Sequence, residues 1–340
     1  MTVDTAQTIA SPPSDRPTSE GRTHRRRRGA RTLGIVALAL IGLLFGSTAT
    51  NLIQERVERS VTAPYGHRVK VDGGSLNVYR NGHSGPPLVL LSGLGTAAPA
   101  LDFAPLIRRL GAFDVIVVEG LGYGYSDMTA RPRTVENISA ELHEVLSRLD
   151  IERPYTLVGH SISGFYTLYY ANKYPKEVSA VIGIDPTVPA GKVDAPSVPS
   201  GGVNPARLAS TTGLARGLSA VAPALLGEPE GGAYTASERR RIHLMTSWNF
   251  GNDAVANEMA QIGRNARRLQ GMTYPDGLPV LTFLAADSVA TIPRWREMHD
   301  DQVKNVERHE IMVLRGQHYL HWTQSAAMAA KITDFLGGGK

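Results

Sequence analysis

The chain runs to 340 residues, 42% hydrophobic and 20% charged, proportions that exclude wholesale disorder and a polytopic membrane protein. Its net charge of +5 sits in residues 1–31, where seven Arg face three acids, so the remainder has no basic surplus to suggest a nucleic-acid partner. Cysteine is absent, which excludes disulfides, thiolate metal sites, a cysteine nucleophile and a lipidated N-terminal cysteine.

Residues 1–31 read as a disordered basic arm, because Ser11-Pro12-Pro13-Ser14 and Arg25-Arg26-Arg27-Arg28 offer no apolar face to offset ordering entropy. Residues 32–54 carry no charge, and such a stretch can cross a bilayer core of roughly 30 Å as a helix. The Arg cluster precedes it, while Glu55, Arg56, Glu58 and Arg59 behind it balance. By the positive-inside rule the N-terminus stays in the cytoplasm and the rest faces outward. Ser47-Thr48-Ala49 offers the alternative of a cleaved signal peptide, and a buried core helix is a third reading.

Beyond Ala63 the pattern becomes strands alternating with helices. Residues 68–71 and 76–79 form a hairpin around Asp72-Gly73-Gly74. Short apolar runs at 88–91, 115–118, 156–158, 181–184, 280–284 and 311–314 have the character of buried parallel strands. Residues 134–149 repeat apolar side chains at helical spacing behind a Thr cap. This alternation predicts a mostly parallel α/β sheet covered on both faces. The core is expected over 60–186 and 275–340, interrupted by a helical cap at 187–274, whose helices fall at 205–226 and 237–269.

The segment Gly159-His160-Ser161-Ile162-Ser163-Gly164 follows a buried strand and opens a helix, placing Ser161 at the apex of a sharp turn. Such a turn brings backbones close together and demands small residues two before and two after the nucleophile, which Gly159 and Ser163 supply. Here the chain resembles the α/β-hydrolase family over about residues 64–340. The resemblance implies an eight-stranded, mostly parallel sheet and a serine hydrolase without a cofactor. Ser92-Gly93-Leu94-Gly95 matches the family's oxyanion loop with Ser92 in place of its His, which implies Leu94 and Ile162 as the N–H donors. Glu119-Gly120-Leu121-Gly122-Tyr123-Gly124-Tyr125-Ser126-Asp127 resembles another family segment. It lacks the third glycine of a dinucleotide site.

Gly316-Gln317-His318-Tyr319 precedes the closing helix (324–336) and matches the family's base position, making His318 the expected proton acceptor. His321 reads as a surface or supporting residue rather than a metal ligand. Asp287, at the end of the strand at 278–286, is the expected orienting acid, with Asp185 in Gly183-Ile184-Asp185-Pro186 as the alternative. The set predicts cleavage of a carboxylic ester through an acyl-enzyme. Leu208, Leu214, Leu218, Val221, Leu225, Leu226, Trp248 and Phe250 are expected to line an apolar substrate pocket. An aminopeptidase, a lyase, a carbon–carbon hydrolase and a catalytically silent binding module remain as alternatives.

Overall fold

A computed structural model describes residues 19–189, 204–229 and 232–337, with side-chain surroundings from residue 32 onward. The chain divides between Thr50 and Asn51 into two units. One continuous helix, α1 (Ser19–Val61), contributes to both. Its stretch from Thr32 has a mean hydropathy of 2.1 and is unburied, long and apolar enough to cross a membrane. That exposure contradicts the buried-core-helix reading. Of the arm expected to be disordered, residues 1–18 lie outside the described residues, whereas 19–31 join α1. Arg is a good helix former, and extending an existing helix avoids the cost of a new nucleus.

The second unit is built on eight strands, which are β1 (His67–Val71), β2 (Gly74–Arg80), β3 (Pro87–Leu91), β4 (Asp114–Glu119), β5 (Tyr155–His160), β6 (Val178–Ile184), β7 (Val280–Ala285) and β8 (His309–Leu314). They form one sheet in the order β1-β2-β4-β3-β5-β6-β7-β8. The β1–β2 and β2–β4 pairings are antiparallel and all others parallel. Parallel pairing requires crossovers, so both faces are covered. Along β3 the side chains alternate accordingly, with Val89 and Leu91 in one apolar core and Leu88 and Leu90 in the other.

Short helices α2 (Pro99–Asp102) and α3 (Ala104–Ile107) follow β3. Helix α4 (Val135–Arg148) follows β4, and the Thr134 side chain accepts a bond from the Asn137 N–H as its N-cap. Helix α5 (Ser163–Lys173) packs beneath β5. Between β6 and β7 lie α6 (Pro205–Thr211), α7 (Leu214–Val221), a 3₁₀ turn at Pro223–Leu226, α8 (Ala236–Asn249) and α9 (Asp253–Leu269).

Each helical run expected in this insertion is broken, the first at Gly213 and again at Ala222 and the second once. Gly213, left-handed at φ 81°, separates α6 from α7. Gly251 (φ 67°) and Asn252, whose side chain accepts from the N–H groups of Ala254 and Val255, separate α8 from α9. Helical periodicity persists across such breaks, which is why a sequence pattern passes over them. Helices α10 (Ala286–Thr291), α11 (Trp295–Val303), α12 (Leu320–Thr323) and α13 (Ser325–Gly337) complete the unit.

Leu157 on the central strand is fully buried, whereas Leu225 is 73% exposed. Leu157→Ala is expected to cost about 2–5 kcal/mol and Leu225→Ala within about 0.5 kcal/mol, as read by chemical denaturation of the two variants.

Candidate active site

The strand–turn–helix at Ser161 depends on tight packing. Ser161 itself is left-handed at φ 54°, an unfavourable conformation for a residue with a Cβ. A Cβ on Gly159 would lie 2.9 Å from the Thr167 methyl and 3.0 Å from the Ser163 carbonyl oxygen. At Ser163 there is room for a hydroxyl, which donates to the Ser92 carbonyl at 2.5 Å and ties α5 to the end of β3. Gly93 is equally constrained, since a Cβ there would stand 2.7 Å from His160 Nδ1 and 3.1 Å from Ser161 Cβ.

Ser161 Oγ lies 2.8 Å from His318 Nε2, and His318 Nδ1 lies 2.6 Å from Asp185 Oδ2. The structure therefore brings Asp185, not the expected Asp287, to the imidazole. Asp185 directly follows β6 with φ 41°, and its carboxylate meets His318. Asp287 falls in the first turn of α10, where its N–H donates to the Gly316 carbonyl and its side chain is exposed.

Asp185 is fully buried. Its Oδ1 accepts from the Ala285 N–H at 3.1 Å and Trp295 Nε1 at 3.0 Å, and its Oδ2 also accepts from Ser288 Oγ at 2.5 Å. Burial pushes this carboxyl up, yet the bonds from His318, Ser288, Trp295 and Ala285 together hold it below the usual aspartate range. A carboxylate accepts the Nδ1–H and leaves Nε2 as the acceptor facing Ser161.

Leu94, the first expected oxyanion donor, follows β3, and Ile162, the second, follows Ser161 as the N-cap of α5. Among the described residues, neither N–H donates to a backbone carbonyl. The loop is held from behind by Tyr123, whose hydroxyl accepts the Gly95 N–H at 3.3 Å and donates to Glu258 Oε2 at 2.9 Å. Tyr166 on α5 donates to the other oxygen of Glu258 at 2.5 Å, fixing α9 to α5. A second buried carboxylate, Glu119, accepts from Tyr65 and Asn77 and from the N–H groups of Ala100 and Tyr125. Its closeness explains Gly124, where a Cβ would sit 1.8 Å from Glu119 Oε2. Sequence reasoning did not identify Tyr123, Glu258 or Glu119 as site supports. The glycine-rich segment around Tyr123 was the available signal.

Behind His318, His160 Nε2–H donates to the His318 carbonyl at 3.3 Å. Burial, with the His321 and His318 imidazoles alongside, pushes His160 well below the usual histidine range and keeps it neutral. His321 is not a surface residue. It is fully buried, with Nε2 2.7 Å from Asp102 Oδ2. Donor atoms of Asp102, His160 and His321 lie within 4.8 Å of one another, a spacing compatible with a metal. Asp102 already accepts from His321 and from Trp322 Nε1. His160 Nδ1 and His321 Nδ1 are buried without a hydrogen-bond partner among the described residues.

An apolar cavity of about 470 Å³ is lined by Leu94 and Gly95 of the loop after β3 and by Leu226, Phe250, Val255 and Met259. Only Leu226 and Phe250 of the expected lining residues take part. Trp248 is buried in a separate cluster with Met245 and Tyr234. Leu208, Leu214, Val221 and Leu225 are exposed. Periodicity identifies an apolar face but not the direction in which it points.

The alpha/beta hydrolase fold pattern matches residues 86–261, more than half of the chain, and the chain belongs to that family. It is 27% identical over 319 residues to the Bacillus subtilis (strain 168) protein YbdG, described as uncharacterized, spanning 90% of this chain and 97% of that one. It is 33% identical over 116 residues to Lipase 1 of Psychrobacter immobilis, about a third of each chain (33% and 36%). Among solved structures it resembles an epoxide hydrolase from Vigna radiata with a TM-score of 0.64 at 14% identity, covering 80% of this chain and 97% of that one.

Two outcomes follow from this geometry. Tyr123→Phe removes the partner of the Gly95 N–H and one of the two donors to Glu258 and is expected to lower stability by about 1–3 kcal/mol, read by denaturant titration. Because the folded Asp185 carboxyl titrates below its usual value of 3.8, its stabilising contribution is complete above that pH and is lost as pH falls through the lowered value. Asp185→Asn should therefore show a smaller stability loss in that acid range than the parent in pH-dependent unfolding.

Proposed function

We propose that this protein is a serine hydrolase that cleaves a carboxylic ester through an acyl-enzyme. The observation that carries the reading is the continuous chain Ser161 Oγ–His318 Nε2 and His318 Nδ1–Asp185, beside an apolar cavity that meets the oxyanion loop. His318 Nε2 takes the Ser161 proton as Oγ attacks the ester carbonyl, and Asp185 stabilises the imidazolium. The Leu94 and Ile162 N–H groups receive the developing oxyanion. The proton then passes from His318 to the leaving alcohol. Water, deprotonated by His318, releases the acid and regenerates Ser161.

The cavity wall is mostly aliphatic and aromatic, which favours an ester with an apolar acyl or alcohol chain. The epoxide hydrolase neighbour supports the fold alone, and family resemblance assigns such enzymes a carboxylate at the elbow where this chain has Ser161. The Lipase 1 match favours ester chemistry. Residues 32–54 would tether the enzyme to the membrane with its catalytic part outside, or act as a cleaved signal in a secreted form.

A fluorescent phosphonate is expected to label the full chain covalently and to fail on Ser161→Ala. Asp185→Asn should slow labelling by about 10³- to 10⁴-fold, while Asp287→Asn labels at the parental rate. Absence of labelling in a folded protein overturns the mechanism and returns the binding-module reading.

A further inference from the structure

Two helical segments of the second unit are amphipathic in the reverse sense. In α7 the buried residues are Ala215 and Ser219, while Leu214 and Val221 are 66% and 81% exposed. Ser219 donates to Glu228 and bonds His243, and Arg216 bonds Asn51 Oδ1 at 2.9 Å and Glu58 Oε1 at 2.7 Å. The polar side chains of this helix thus face the protein and its large aliphatic ones face away. The final part of α1 repeats the arrangement. Asn51 is buried and Glu55 and Glu58 are partly so, whereas Ile53, Val57 and Val61, spaced four apart, are exposed. Glu58 also accepts from Trp248 Nε1 at 2.9 Å. Single exposed aliphatic residues are ordinary, but helices turned apolar side outward require something apolar to cover them.

We propose that the outward faces of α7, its flanking residues Leu208 and Leu225, and the Asn51–Val61 segment of α1 lie in the boundary between headgroups and acyl chains of a lipid bilayer. The proposal rests on the membrane reading given above. Three observations favour lipid over protein as the occupant. Asn51 lies within the uncharged 32–54 stretch of α1, and its Nδ2 donates to the Ser210 and Thr211 carbonyls of α6, so the chain continues from α1 directly into this face. Between Pro205 and Leu226 the only charged residues are Arg207 and Arg216, with no acid to repel anionic headgroups. Among the described residues, the other exposed large hydrophobics, Ile292, Met312 and Val313, reach only 38%, 37% and 43%. This face therefore carries the most exposed apolar surface of the second unit.

The natural absence of cysteine makes the test direct. Val221→Cys and Leu225→Cys, each labelled with an environment-sensitive fluorophore, are reconstituted as the full chain in phosphatidylcholine–phosphatidylglycerol vesicles. Leu40→Cys and the exposed Glu152→Cys serve as references. The expected result is a blue shift at 221 and 225 relative to 152, with quenching by spin-labelled lipid. Emission matching that at 152 overturns the proposal. A blue shift that spin-labelled lipid does not quench also overturns it, by showing a protein occupant such as a second copy. The probe at 40 separates the two readings. Lipid quenching at 40 with water exposure at 221 and 225 sinks the surface proposal alone. Quenching at 221 and 225 without it at 40 sinks the spanning helix and leaves the surface proposal standing.

Discussion

The site rests on one backbone constraint, the left-handed turn at Ser161 between β5 and α5. Holding a serine there costs on the order of 1–3 kcal/mol, which the surrounding structure must offset. The compensation is visible on every side. The Ser161 N–H donates to Ile184 and its carbonyl accepts from Thr187, locking the turn onto the end of β6. Gly159, Gly164 and Gly93 allow the neighbouring chains to close in, and Ser163 bonds back to the end of β3. Because the turn is fixed to β6, the residue directly following that strand, Asp185, is fixed with it. The seryl oxygen and the carboxylate are then placed at once, and His318 has only to bridge them.

Around this turn, charge is buried in quantity and satisfied with care. Asp185, Glu119 and Glu258 each lie inside the protein and accept several hydrogen bonds from fixed donors. A buried carboxylate with its donors in place is costly to disturb, because a missing partner exposes the full desolvation penalty. These groups join elements remote in sequence. Glu258 on α9 reaches the loop after β4 through Tyr123 and the loop after β3, at Gly95, through the same hydroxyl. The helical insertion is thereby tied to the loops after β3 and β4 by polar bonds as well as by packing.

Much of this was legible in the sequence for identifiable reasons. Strands buried on both faces leave continuous apolar runs, so β3, β4 and β7 could be located from residues such as Leu88, Val117 and Leu281. Ser161 and His318 sit in local patterns that a sharp turn or a strand end requires. The acid was not settled that way, since Asp185 and Asp287 both lie at strand ends. The difference lies in the positive φ at Asp185 and in donors from Ser288 and Trp295, about 100 residues away. The partners of Glu119 and Glu258 are likewise set by tertiary approach. The leucines of α7 were misplaced into the pocket because spacing alone carries no inside or outside.

The division between the two units at Thr50 and Asn51 falls just beyond Ser47-Thr48-Ala49, the small-residue sequence where a leader would be cut. Asn51, Glu58 and Arg59, which bond to the helical insertion, lie on the far side of that point. Severing the chain there would remove the long apolar helix without breaking a bond inside the hydrolase body. A body freed there would keep the outward Leu214 and Val221 of α7, so its exposed apolar surface would outlast the loss of the helix and leave a soluble form with a surface that still needs an apolar cover.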